Sequence, residues 1–146
     1  MNLDPISVVV ISSRINEIQR VMKHRLFHNG YSTILRESYP GSSGVTDRNG
    51  QFVGAEGVTM HTTPYAHTVR SILSYYTPDQ MNENDTFIVN DPYHGGSPHA
   101  PDMAAVTPVF YEGQLVAFAT SIAHKPDIGG LVPGSSGAAS RSIYHE

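Results

Sequence analysis

Thirteen residues, Asn90-Asp91-Pro92-Tyr93-His94-Gly95-Gly96-Ser97-Pro98-His99-Ala100-Pro101-Asp102, contain three prolines and an adjacent pair of glycines. No helix or central strand can run through them, because proline fixes φ and removes a hydrogen-bond donor, while Gly95-Gly96 permits positive φ or a close backbone approach. Apolar and β-branched runs flank the stretch, at residues 86–89 and 103–111. The pattern predicts two strands joined by a stiff loop rich in carboxylates and imidazoles. Side chains on such a loop are held ready for coordination or acid/base work.

Around this loop the chain alternates between helical and extended patterns. Residues 5–29 predict a helix with Asp4 as N-cap, Pro5 at the first position and Gly30 just past the end. Its apolar stripe is Ile11, Ile15, Ile18, Met22 and Leu26, although Val8-Val9-Val10 lowers propensity and predicts a later start. Arg14, Arg20, Lys23 and Arg25 read as its solvated face. A strand is expected at 31–35, then a Pro-Gly-Ser-Ser-Gly loop, then a hairpin whose Asn49-Gly50 calls for a type I′ turn. A second helix starts near 60–64, with Thr63 as N-cap, Pro64 at its first position and Val69, Ile72, Leu73 and Tyr76 inward; it stops before Thr77-Pro78. Glu112-Gly113 joins strands at 106–111 and 114–122. The Gly- and Ser-rich stretch 127–140 reads as a linker or mobile loop, and order resumes at 142–146 as if a longer chain continued. The expected fold is α+β: an N-terminal helix, a hairpin-rich mixed or antiparallel sheet and a second helix, all within one loop-rich domain, residues 1–146.

Ten prolines and thirteen glycines against 15% charged residues exclude a bundle or coiled coil. A net charge of −4 with nine scattered basic residues argues against a nucleic acid or an anionic membrane as partner. Without cysteine there is no disulfide, thiolate ligand or cysteine nucleophile, so a transition metal must take nitrogen and oxygen donors. No basic segment precedes the apolar run at 6–11, and no stretch approaches the ~20 apolar residues of a membrane span, which suggests a cytoplasmic chain. Phosphate-loop, dinucleotide and Gly-x-Ser-x-Gly motifs are missing from the sequence.

His99 and Asp102 are three apart, and His124 ends the strand that pairs with the one leaving Asp102. Antiparallel pairing brings those ends to one edge of the sheet. Two imidazoles and a carboxylate form an open donor set for Zn²⁺, Mn²⁺ or Fe²⁺, with Asp91 as a fourth ligand. The plainer alternative is that these are surface histidines and that Asp91-Pro92 only opens a turn. His94 reads as an acid/base group or substrate contact, or else as a surface turn residue. Lys125 would polarise a carbonyl or bind a carboxylate, or simply be solvated. Asp127-Ile128-Gly129-Gly130 offers backbone N–H groups to an anion or makes an ordinary turn. His61 and His67, six apart, share no helical face and read as structural.

The block from Asn90 to Asp102, followed by Val106-Thr107-Pro108-Val109-Phe110 and by His124-x-x-Asp127-Ile128-Gly129-Gly130, resembles the hydantoinase B/oxoprolinase family. That family includes the B-type chains of N-methylhydantoinase and caprolactamase, the C-terminal part of 5-oxoprolinase and the alpha subunit of acetone carboxylase. The resemblance implies the N-terminal, metal-bearing portion of a longer subunit, active only with a hydantoinase A-type ATPase of actin-like fold in an α2β2 hetero-oligomer. The partner binds ATP and activates a lactam, hydantoin or related substrate by phosphorylation; hydrolysis, or in the ketone carboxylases carboxylation, is completed at a divalent metal, Mn²⁺ or Zn²⁺. A non-catalytic module, in which the loop holds a structural ion or braces an interface, is the rival from another class. His99, Asp102 and His124 match the family's ligand positions. The chain departs from the pattern where relatives commonly read Asp-Phe-Ser or Asp-Tyr-Ser: it has Pro40-Gly41-Ser42, so an early acidic ligand is missing and Asp91, Asp47 or Glu37 must substitute, Asp91 being preferred.

Overall fold

A computed structural model describes residues 4–30, 41–57, 62, 64–134 and 140–146. The strand expected at 31–35, Glu37, Pro40, His61, Thr63 and residues 135–139 lie outside the described residues. The elements are α1 (Pro5–His28), β1 (Gly41–Asp47), β2 (Phe52–Gly57), α2 (Tyr65–Tyr75), β3 (Phe87–Val89), β4 (Asp102–Tyr111) and β5 (Gln114–His124), with 3₁₀ turns at Pro78–Gln80 and Ile143–His145. The strands form one antiparallel sheet in the order β2-β1-β5-β4-β3. The fold is α+β, as expected.

Side-chain alternation and the strand register give the sheet two unlike faces. Ser42, Gly44, Asp102, Ala104, Val106, Phe118, Ile122 and His124 share one face, where α2 packs. Val69 and Ile72 of α2 meet Val106, Leu115, Phe118 and Met81 there, while Tyr65 meets Ala104 and Ile122. The opposite face receives α1 through Phe27 and Leu26 against Ala123. Burying these apolar groups supplies the main driving force for closing the layers.

The Asp4 carboxylate caps α1 by accepting from the N–H groups of Ile6 (3.4 Å) and Ser7 (3.1 Å), so the helix begins at Pro5 despite the valine run. Capping and the pre-set φ of Pro5 outweigh the small propensity cost of three β-branched residues. The inward stripe differs from the expected one. Ile15, Met22 and Leu26 are half-buried, but Ile11 and Ile18 are exposed and Gln19 is buried against β2. Only the C-terminal half of α1 lies on the sheet, and there the packing angle selects the facing residues.

The Pro-Gly-Ser-Ser-Gly segment is not a loop: from Gly41 onward it is β1, an interior strand between β2 and β5. Small residues are required because helices press on both of its faces. A Cβ on Gly44 would sit 2.6 Å from the Tyr65 ring. Nor is the β1–β2 connection a type I′ turn, since Asn49 keeps a negative φ and Gly50 alone turns positive (+72°). The Asp47 carboxylate accepts from the N–H of Asn49 (2.9 Å) and of Gln51 (2.7 Å), stabilising a three-residue loop closed by a glycine bulge. The I′ signature falls instead at Glu112-Gly113, with φ of +49° and +74°.

Helix α2 has Pro64 at its N-cap, one residue later than the expected cap at Thr63, so the helix opens at Tyr65 with no side-chain cap. Tyr65, Ala66 and Thr68 join Val69 and Ile72 in the core, whereas Tyr76 is exposed and tilts against Phe87 with ring centroids 5.0 Å apart. The stretch after β5 is held rather than loose at Leu131, whose N–H donates to the His145 carbonyl at 2.8 Å. No helix among the described residues is long and apolar enough to cross a membrane.

Candidate metal centre

The β4–β5 register places Asp102 directly opposite His124 at the last rung of the ladder. Paired residues of antiparallel strands point to the same face, so the carboxylate and the imidazole meet without help from a loop. His99 reaches them through a tight bend in which the Asp102 N–H donates to the His99 carbonyl at 3.1 Å. The rung is extended by one bond, Lys125 N–H to the Pro101 carbonyl at 2.9 Å. Lys125 thus enters the site through its backbone.

Three side chains therefore converge. His124 Nδ1 lies 3.0 Å from Asp102 Oδ1 and 3.2 Å from His99 Nε2, and His99 Nε2 lies 3.1 Å from Asp102 Oδ2. The two rings stack with centroids 5.0 Å apart and planes 17° from parallel. The Asp102 side chain is 1% exposed, against 25% for His99 and 17% for His124. A buried carboxylate needs cationic or hydrogen-bonding company to offset its desolvation.

The spacing itself fits a cation. Ligand bonds of about 2.1 Å put neighbouring donors about 3.0 Å apart in an octahedron and about 3.4 Å apart in a tetrahedron. The observed 3.0–3.2 Å separations fall at that scale. Two imidazole nitrogens and a carboxylate suit Zn²⁺ or Mn²⁺ alike. Among the described residues this is the group of three histidine or acidic side chains able to hold a metal ion.

Other residues singled out in the sequence lie elsewhere. Asp91 is turned into its own loop, accepting from the N–H of Tyr93 (2.7 Å) and His94 (3.2 Å) and meeting His94 Nδ1 at 3.0 Å. The His94 backbone N–H, then that of Tyr93 and the His94 ring, hold its carboxyl below the usual carboxylate range. Asp91 is not part of the three-residue group. His94 lines a cleft with Tyr76, Phe87 and Asp91, whereas His99 lines another with Tyr93, Arg141 and Glu146. His67 packs on Gly96, a structural contact. Asp127 turns its carboxylate back to the Gly129 N–H at 2.8 Å, closing the turn at Asp127-Ile128-Gly129. Asp47 is engaged in the β1–β2 loop. Two contacts with Ala100 carry no signal in the sequence: Asn90 Nδ2 donates to the Ala100 carbonyl, and the Ala100 N–H donates to Glu146, 46 positions away in the chain.

The class is an antiparallel α+β scaffold that brings two imidazoles and a carboxylate together at the ends of two paired strands, a donor set that could hold a metal ion. Residues 4–146 match the hydantoinase B/oxoprolinase family, and the chain belongs to it. It is 35% identical over 143 residues to the B chain of a putative D-/L-hydantoinase from Pseudomonas sp. (strain NS671), covering 92% of this chain and 23% of that protein. The crystal structure of the ATP-dependent caprolactamase from Pseudomonas jessenii superposes with a TM-score of 0.80 at 27% identity, over 91% of this chain and 23% of the other. A nucleotide-free acetone carboxylase structure shares the fold, with a TM-score of 0.82 at 20% identity over 90% of this chain and 18% of the other. The chain thus spans about a quarter or less of the proteins it matches.

Proposed function

We propose that this chain is the metal-bearing part of an ATP-dependent amidohydrolase that opens a small cyclic amide together with a separate ATPase subunit. The observation that supports it most is the meeting of His99, Asp102 and His124 at donor spacings of 3.0–3.2 Å. His99 Nε2, His124 Nδ1 and the Asp102 carboxylate would hold a divalent cation. When bound, such an ion supplies Lewis acidity and lowers the pKa of coordinated water. The stiff loop fixes the ligands, and Asp102, buried at the sheet edge, keeps the two imidazoles oriented. His99 also faces an open cleft lined by Tyr93, Arg141 and Glu146, from which a small substrate would reach the centre.

The hydrolase reading is favoured over ketone carboxylation because a relative named for a hydantoinase is 35% identical, whereas the likeness to acetone carboxylase at 20% identity carries the fold alone. A partner ATPase accords with the names of relatives, which designate them as one chain of a multi-chain enzyme, B in the hydantoinase and beta in the caprolactamase. The test is ATP-dependent ring opening of a lactam and hydantoin panel by the assembled complex, with metal content measured in parallel. His99→Ala and Asp102→Asn are expected to lose both metal and rate. Full turnover by a metal-free Asp102→Asn complex would sink the reading, and a product that forms only with bicarbonate would replace it with carboxylation.

A further inference from the structure

The segment ending at Glu146 lies against the metal loop at one residue. Ala100, between His99 and Pro101, is buried and has both backbone polar groups taken by side chains from elsewhere. Its N–H donates to Glu146 Oε2 at 3.1 Å, and its carbonyl accepts from Asn90 Nδ2 at 3.0 Å. The flanking groups are satisfied within the loop and ladder: the His99 carbonyl by Asp102 N–H and the Pro101 carbonyl by Lys125 N–H. The backbone from His99 to Asp102 is therefore pinned at each polar group described, and two of the pins are side chains.

Glu146 is itself held in place. Its N–H donates to the Ile143 carbonyl at 3.2 Å, and the neighbouring His145 carbonyl accepts from Leu131 N–H. Gly130 makes this approach possible, because a Cβ there would lie 2.5 Å from the Glu146 carbonyl carbon and 2.6 Å from the His145 oxygen. An N–H bonded to a carboxylate is a charge-assisted bond, stronger than a neutral one, and a buried N–H deprived of it loses a partner that water cannot easily replace.

We propose that Glu146 is a positioning residue for the metal centre: by taking the Ala100 N–H it fixes the peptide plane after His99, and so the direction in which His99 Nε2 meets Asp102 and His124. Asn90 braces the same residue from its carbonyl side. The proposal rests on the metal reading above and deepens it. Loss of a group that orients a ligand typically lowers metal affinity about 10–100-fold.

The experiment is Zn²⁺ affinity of the full chain, read by competition with a chromophoric chelator, with Co²⁺ absorption as a signature of ligand geometry. Glu146→Ala is expected to bind Zn²⁺ about 10–100-fold more weakly and to shift the Co²⁺ spectrum. Glu146→Gln retains an oxygen for the Ala100 N–H, without the charge, and should recover most of the affinity that Glu146→Ala loses. Asn90→Asp, which preserves shape but not the donor, should weaken binding as well and serves if Glu146→Ala fails to fold. Wild-type affinity in Glu146→Ala, or a Gln variant as weak as the Ala variant, overturns the positioning role alone. A wild-type chain that binds no Zn²⁺ overturns both this role and the metal reading.

Discussion

Adding one methyl group to Gly44 should unsettle the core under α2. The new Cβ would lie 2.6 Å from Tyr65 Cδ2 and Cε2 and 3.1 Å from Ala55 Cβ, whereas carbon atoms pack comfortably at about 3.5–4.0 Å. The ring must retreat by about 1 Å, yet Tyr65 is fully buried against Ala104 and Ile122 and its hydroxyl is bonded to Ser42. Overpacking of this kind costs about 1–3 kcal/mol. If the phenol leaves Ser42, a buried polar group without its bond adds about 1–3 kcal/mol more. The total of about 2–6 kcal/mol corresponds to a fall in Tm of about 5–20 °C for a chain of this size. Urea and thermal unfolding of Gly44→Ala measure it, with Tyr65→Phe isolating the hydroxyl. Truncating the obstacle in Gly44→Ala/Tyr65→Leu should recover part of the loss as a favourable coupling of about 0.5–3 kcal/mol. A Gly44→Ala protein as stable as wild type, or strictly additive single and double variants, would refute the argument that β1 is small because Tyr65 crosses it.

Saturating Zn²⁺, at about 100 times its Kd, should stabilise the chain by about 2.7 kcal/mol, and scanning calorimetry should find that gain abolished in His124→Ala. Asp91→Asn should leave metal content unchanged, because its carboxylate is engaged by Tyr93 and His94; elemental analysis showing a loss would return Asp91 to the centre. Glu112, at φ +49°, is a non-glycine residue in the left-handed region, and Glu112→Gly should raise stability by about 0.5–1 kcal/mol in urea unfolding. The Ser7 N–H first, then the Ser7 hydroxyl and the Ile6 N–H, hold the Asp4 carboxyl below its ordinary value of 3.8. Because the folded value is depressed, the cap is fully present above 3.8 and is lost as pH falls through the lowered value. Hydrogen exchange at Ile6 and Ser7 should therefore gain an acid-dependent component that Asp4→Asn removes; an unchanged acid profile in that variant would exclude Asp4 as its source.

Local chemistry settled much of this protein in advance. Capping by Asp4 and Pro5, the strands on either side of the proline-rich loop and the Glu112-Gly113 hairpin all follow from neighbours in sequence, whose forces act within a turn or two. From that hairpin came the pairing of Asp102 with His124, since two strands joined by a tight turn have little freedom of register. Tertiary structure alone decided what depends on groups brought from afar. Nothing near Gly41-Ser42-Ser43-Gly44 distinguishes an interior strand from a loop until Tyr65 and α1 press on its two faces. The exposed Ile11 and Ile18 carry the same apolar signal as the half-buried Ile15, and only the reach of the sheet under α1 separates them. Asp91 has the chemistry of a ligand, but its short-range bonds to Tyr93 and His94 claim it first. Glu146 reaches Ala100 across 46 positions, a contact that the order of residues cannot announce because it exists only once the sheet edge and the final turn have met.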